Sequence, residues 1–171
     1  MLRLPAVAGR FYPSNPEELT ALIRECVKPW PDAMPPRVQA CLVPHAGYMF
    51  SGHVAGAVFS RIALPQRIVI LGVRHFPRGE SLAMNTSGAW RTPLGDVPID
   101  EALAATLKKE CPILSEDRVA HGTEHSLEVQ LPCHERFVLV CFLHRIYLMA
   151  TMIQRRLPVG ASRCCEARVS G

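Results

Sequence analysis

Val38-Gln39-Ala40-Cys41-Leu42-Val43, then Ser51 to Ile62, then Arg67-Ile68-Val69-Ile70-Leu71-Gly72 is the stretch that decides the fold. The first and third segments are short, apolar and rich in β-branched residues, as expected of strands covered on both faces. The middle segment places Val54, Ala55, Val58, Phe59 and Ile62 on one helical face. Strand, helix, strand in that order predicts a right-handed βαβ unit with a parallel pair. The expected class is therefore α/β, with a central, mainly parallel sheet and helices on both faces.

Outward from that unit the local signals are clear. Asn15-Pro16-Glu17-Glu18 starts a helix: Asn15 caps it, Pro16 fits its first turn, and two acids sit at the positive end of its dipole. Leu19, Leu22, Ile23, Cys26 and Val27 form its apolar face, and Pro29, Pro31, Pro35 and Pro36 end it. Residues 81–98 carry turn signals at Asn85, Ser87-Gly88 and Leu94-Gly95-Asp96, which predict a hairpin or irregular strands. Asp100 caps a helix expected to run to Lys109. Thr123 to Leu131 reads as a short helix stopped by Pro132, and Phe137 to Phe142 as a further strand.

The chain has 171 residues, 49% of them apolar and 20% charged, which excludes a disordered or acidic-tail protein and fits one domain of ordinary size. The net charge of +4 is too small to argue for nucleic acid. The whole excess lies in residues 134–171, which hold six arginines, no lysine and two acids. Seven scattered cysteines include no Cys-x-x-Cys pair, so a zinc knuckle or a thioredoxin-type motif is unsupported. With no secretory leader pattern at the start, a reduced, cytoplasmic chain is expected. Phe137–Ile153 is the most apolar stretch, but His144 and Arg145 at its middle argue against a membrane span.

Ligand sites of open parallel sheets lie at the carboxyl ends of the strands. His45 follows the first strand and His75 the second, so their rings can converge on one ion; imidazoles suit iron, zinc or copper. Spacing alone equally allows two loop histidines bonded to backbone or water. In His121-Gly122-Thr123-Glu124-His125-Ser126-Leu127-Glu128, a helix would put Glu124 and Glu128 on one face. His125 would lie near its start, where the dipole favours a neutral proton acceptor. The same pattern also describes a solvated helix end.

Five motifs stand in order: Ala6-Val7-Ala8-Gly9-Arg10-Phe11-Tyr12-Pro13; Pro44-His45-Ala46-Gly47-Tyr48; Ser51-Gly52; Trp90-Arg91-Thr92-Pro93-Leu94-Gly95; and Glu124-His125-Ser126-Leu127-Glu128-Val129-Gln130-Leu131-Pro132. Over about residues 4–132 the chain resembles the Memo family, whose prokaryotic members are called AmmeMemoRadiSam system protein B. That family resembles the class III extradiol dioxygenases in fold. The resemblance implies a pocket in which His45 and His75 hold iron or copper, with His125 at the acid–base position and Glu124 orienting it or a bound water. It also implies association with a radical S-adenosylmethionine protein and a further protein of the same system; charge and hydropathy give no reason to expect nucleic acid or membrane as partner. Tyr48 and Trp90 fit either the pocket lining or the core.

The chain departs from the family in two places. Val73-Arg74 stands before His75 where the family has Gly-Pro and a small polar residue, which sets a permanent cation beside the expected ion. The resemblance fades after Pro132, so residues 1–133 read as a Memo-like α/β domain and 134–171 as a divergent or truncated segment, leaving the sheet incomplete at that end. The family's third ligand is a cysteine from the C-terminal part, and none of Cys141, Cys164 and Cys165 can be assigned to it. The expectations are a metal-binding protein acting with partners, holding its ion weakly or not at all. The alternatives are an extradiol-dioxygenase-like oxidoreductase and an inactive truncated fragment.

Overall fold

The computed structural model describes residues 1–28, 35–133 and 138–143. Among the described residues the architecture is mixed α/β, with three α-helices and two small sheets. The first sheet joins β1 (Leu2–Arg3), β4 (Ala89–Thr92) and β5 (Gly95–Pro98), with β1 parallel to β4 and β4 antiparallel to β5. The second has the order β2 (Val69–Val73), β7 (Val138–Leu143), β3 (Ala83–Met84), β6 (Ser115–Glu116).

The hairpin and all three helices follow their local signals. In α1 (Pro16–Cys26), the Asn15 carboxamide oxygen accepts from the Glu17 and Glu18 amides at 2.8 and 3.0 Å. In α3 (Glu101–Glu110), the Asp100 carboxylate accepts from the Leu103 amide at 2.9 Å. Helix α2 runs Tyr48–Phe59, three residues earlier than the apolar face suggests, and has no side-chain cap. Its first amide instead donates to the Phe11 carbonyl at 2.7 Å, which ties the helix start to the N-terminal loop. Helices α1 and α2 cross closely at Gly56, where a Cβ would lie 2.2 Å from the Cys26 carbonyl oxygen.

Three expectations need correction. Residues 38–43 form no strand in either sheet, and Leu42 is 92% exposed. An apolar run becomes a strand only if another backbone satisfies its N–H and C=O groups, and no described strand lies beside it. The parallel partner of β2 is β7 instead, with Ile70 opposite Val140 and Val73 opposite Leu143. Second, an extended parallel sheet with helices on both faces is not what the described residues form: both sheets mix parallel and antiparallel pairs. Third, residues 123–131 are not an α-helix. A turn at 126–127 leads into a 3₁₀ helix, Glu128–Cys133, with Pro132 inside it. The expected strand at 137–142 is present as β7. The rest of the arginine-rich segment, with Cys164 and Cys165, lies outside the described residues.

Two cores hold the site between them. Ala83, Trp90, Val97, Leu127 and Leu131 pack together, as do Val7, Tyr12, Leu19, Tyr48 and Val129. The segment 127–131 contributes to both, so it is the seam along which they join. Tyr48 and Trp90 are both core residues: the Tyr48 hydroxyl donates to the Val129 carbonyl at 2.8 Å, and the Arg3 guanidinium lies 4.1 Å from the Trp90 ring centre.

Candidate metal centre

His75 lies just beyond the end of β2, His45 in the turn before α2, and His125 in the loop before the 3₁₀ helix. The structure brings all three rings together. Ring centres are 5.3 Å apart for His45 and His75, 4.3 Å for His75 and His125, and 6.1 Å for His45 and His125. The His75 and His125 rings stack, and the Phe11 ring meets His125 edge-on at 4.7 Å. One donor atom each from His75, Glu124 and His125 can be chosen so that all lie within 4.8 Å of one another.

The segment 124–130 locks this cluster in place. Glu124, Ser126, Glu128 and Gln130 are all buried, and each reaches a different part of the site. Glu124 Oε2 accepts from the His75 amide at 2.7 Å, and Oε1 accepts from His75 Nδ1 at 2.8 Å. The Ser126 hydroxyl donates to the Val73 carbonyl at 2.9 Å. Glu128 accepts from the amides of Ala6 and Val7, from the Tyr12 hydroxyl at 2.7 Å, and from the Arg3 guanidinium. Gln130 Nε2 donates to the Pro44 carbonyl, next to His45, at 2.9 Å. The alternate residues Leu127, Val129 and Leu131 fill the cores. Gly72 makes the close approach possible, since a Cβ there would lie 2.5 Å from Ser126 Oγ.

Electrostatics favour neutral imidazoles. Burial pushes the pKa of His45 down, the neighbouring His75 adds to this, and Glu124 opposes it. His125 is also lowered, by burial first and then by His75, against the pull of Glu124. Burial acts upward on Glu124, but the amides of His75 and Ser126 and the His75 ring together hold its carboxyl below the usual range. Arg74 is tied away from the cluster: its guanidinium donates to the Gly79 carbonyl at 2.8 Å, in the loop that leaves β2.

The sequence reading named the three histidines and Glu124 but missed Arg3, Phe11, Ser126 and Gln130, and it placed Glu128 on the same face as Glu124. Instead Glu124 turns to His75 and Glu128 to the N-terminal loop. The signal available was the motif itself, in which four polar residues alternate with Leu127, Val129 and Leu131.

Fold and cluster together define a mixed α/β protein with a histidine-rich candidate metal centre. A family model described as Memo-like protein matches residues 3–156, reaching past Pro132, where the motif resemblance stops. A MEMO1 family protein of Methanopyrus kandleri is 43% identical over 159 residues, covering 82% of this chain and 56% of its own length. Another, of Archaeoglobus fulgidus, is 43% identical over 143 residues, covering 81% and 52%. One of Aquifex aeolicus is 42% identical over 144 residues, covering 80% and 50%. The chain belongs to the Memo family. It spans about half the length of the curated relatives it matches. Among the described residues no helix is long and apolar enough to cross a membrane.

Proposed function

We propose that this chain binds one transition metal ion, iron or copper, through His45 and His75, with His125 beside it as the acid–base residue. The observation that carries the reading is the convergence of three imidazoles, two of them held toward the neutral form that ligates metals. The donor set fits such an ion. Weak binding followed from counting only two donors; the cluster adds a third imidazole, which favours retention. When bound, the ion would supply a Lewis acid with open positions for an oxygen ligand. The chain's own residues supply the rest. His125 can hold or release a proton at the site, and Phe11 packs against its ring.

In this reading the protein acts, as the Memo resemblance implies, with partner proteins that include a radical S-adenosylmethionine protein. A second reading, a dioxygenase-like oxidoreductase, draws support from the two-histidine, one-carboxylate set formed by His75, Glu124 and His125. It ranks lower because direct ligation requires Glu124 to release N–H donors that already occupy both its oxygens.

Anaerobic titration of the purified protein with ferrous iron, and separately with copper, tests the proposal. One ion per chain is expected, with affinity reduced in His45→Ala and in His75→Ala. Absence of saturable binding, or variants that bind like the parent, would overturn it. Oxygen uptake with a catechol and ferrous iron would promote the second reading. Melting without cooperativity would favour an inactive fragment.

A further inference from the structure

Glu124 is 1% exposed and its carboxylate collects four N–H groups. Oε2 takes the His75 amide; Oε1 takes His75 Nδ1 and the amides of His125 and Ser126, each at 2.8 Å. The three amides can only donate, so the one acceptor a protonated carboxyl would find is His75 Nδ1, through an Oε1 that already takes two amides. A carboxyl hydroxyl is a poor acceptor for two amides, so the geometry favours the ionised form, which accepts all four. His75 Nδ1 must then carry the proton it donates.

One carboxylate thus grips both the backbone and the ring of the same residue, which fixes the ring's orientation as well as its proton. His125 is treated differently. Its Nδ1 lies 3.7 Å from the same Oε1, beyond hydrogen-bond range, so that oxygen leaves its tautomer open. We propose that Glu124 is a positioning residue that divides the roles of two stacked histidines. It fixes His75 as the Nδ1–H tautomer, with Nε2 as its only lone-pair nitrogen, and leaves the His125 ring unfixed by the same carboxylate. The use of that Nε2 as a ligand rests on the metal-binding reading; the tautomer does not.

Long-range proton–nitrogen correlation spectra of the metal-free protein at mildly alkaline pH read the tautomer directly. His75 is expected to show a pyrrole-type Nδ1 and a pyridine-type Nε2. In Glu124→Ala the pattern should move toward the Nε2–H form that free imidazole groups prefer in water, and metal affinity should fall about 10–100-fold. Ser126→Ala, which removes only the bond to Val73, should keep the parent pattern. An Nε2–H or doubly protonated His75 in the parent would overturn the inference, as would an unchanged pattern in Glu124→Ala. If that variant does not fold, the parent spectrum still decides. A parent with the Nδ1–H ring but no metal binding sinks the proposed function and leaves this inference standing.

Discussion

Glu128 is fully buried, while Leu42 is 92% exposed. Each does the opposite of what its side chain alone favours in water. Glu128 belongs to the segment 124–130, where Glu124, Ser126, Glu128 and Gln130 are buried with partners: two amides, a tyrosine hydroxyl and a guanidinium for Glu128 alone. Leu42 belongs to the apolar run 38–43, and on β2 Val69 and Leu71 are also about 40% exposed. The contrast teaches that burial follows available partners. The segment that carries the site's chemistry is also the one that holds the cores together, so stability and site geometry are coupled there and not in the apolar run.

The sharpest way to break that comparison is Glu128→Ala. Four donors lose their acceptor, one of them a largely buried guanidinium, and the expected loss is about 3–5 kcal/mol in urea unfolding. A loss below ~1 kcal/mol would mean the N-terminal loop is not held through this carboxylate.

A comparable effect is expected from pH. Burial, with help from the Arg3 charge and against Asp117 and Glu124, pushes the His121 pKa down to about 3. The unfolded chain takes up a proton near the ordinary value of about 6.5. His121 therefore contributes stability above that pH and loses it as pH falls toward about 3. Unfolding free energies measured across this window should fall less steeply in His121→Asn than in the parent; equal slopes would contradict the assignment.

How much of this could be read from residues depends on how local each signal is. The Asn15 and Asp100 caps need only their own first turns, and the hairpin needs only Pro93-Leu94 between its strands and Gly95 at the start of the second, so all three were legible. The histidines were legible as a family motif and as residues flanking strand-like segments. Strand 38–43 failed because an apolar run specifies a preference for cover, not the identity of the strand that provides it. The helix at 123–131 failed because Leu127 and Leu131 satisfy a helical period, while Glu124, Ser126, Glu128 and Gln130 are claimed by partners over 40 residues away in sequence. Those long-range bonds leave only the alternation of polar and apolar residues as a local trace, which does not name the partners.

Gln130→Ala sharpens the contrast on a finer scale. It strands the Pro44 carbonyl and should cost about 1 kcal/mol, with a measurable loss of metal affinity through the freed His45 turn. Unchanged affinity would show that His45 is held by other contacts. Least of all should change in Leu42→Ser, which is expected to stay within about 0.5 kcal/mol in the same unfolding assay. A larger loss would show that residue 42 is covered in solution.

The central claim is that the imidazoles gathered at the end of β2 ligate a metal together. Pulsed electron paramagnetic resonance of the copper(II)-loaded protein tests it most directly, because each equatorial imidazole modulates the echo through its remote nitrogen. The account predicts at least two such imidazoles, reduced by one in His45→Ala and in His75→Ala. A copper signal with no imidazole modulation, or one that both variants leave intact, would contradict it.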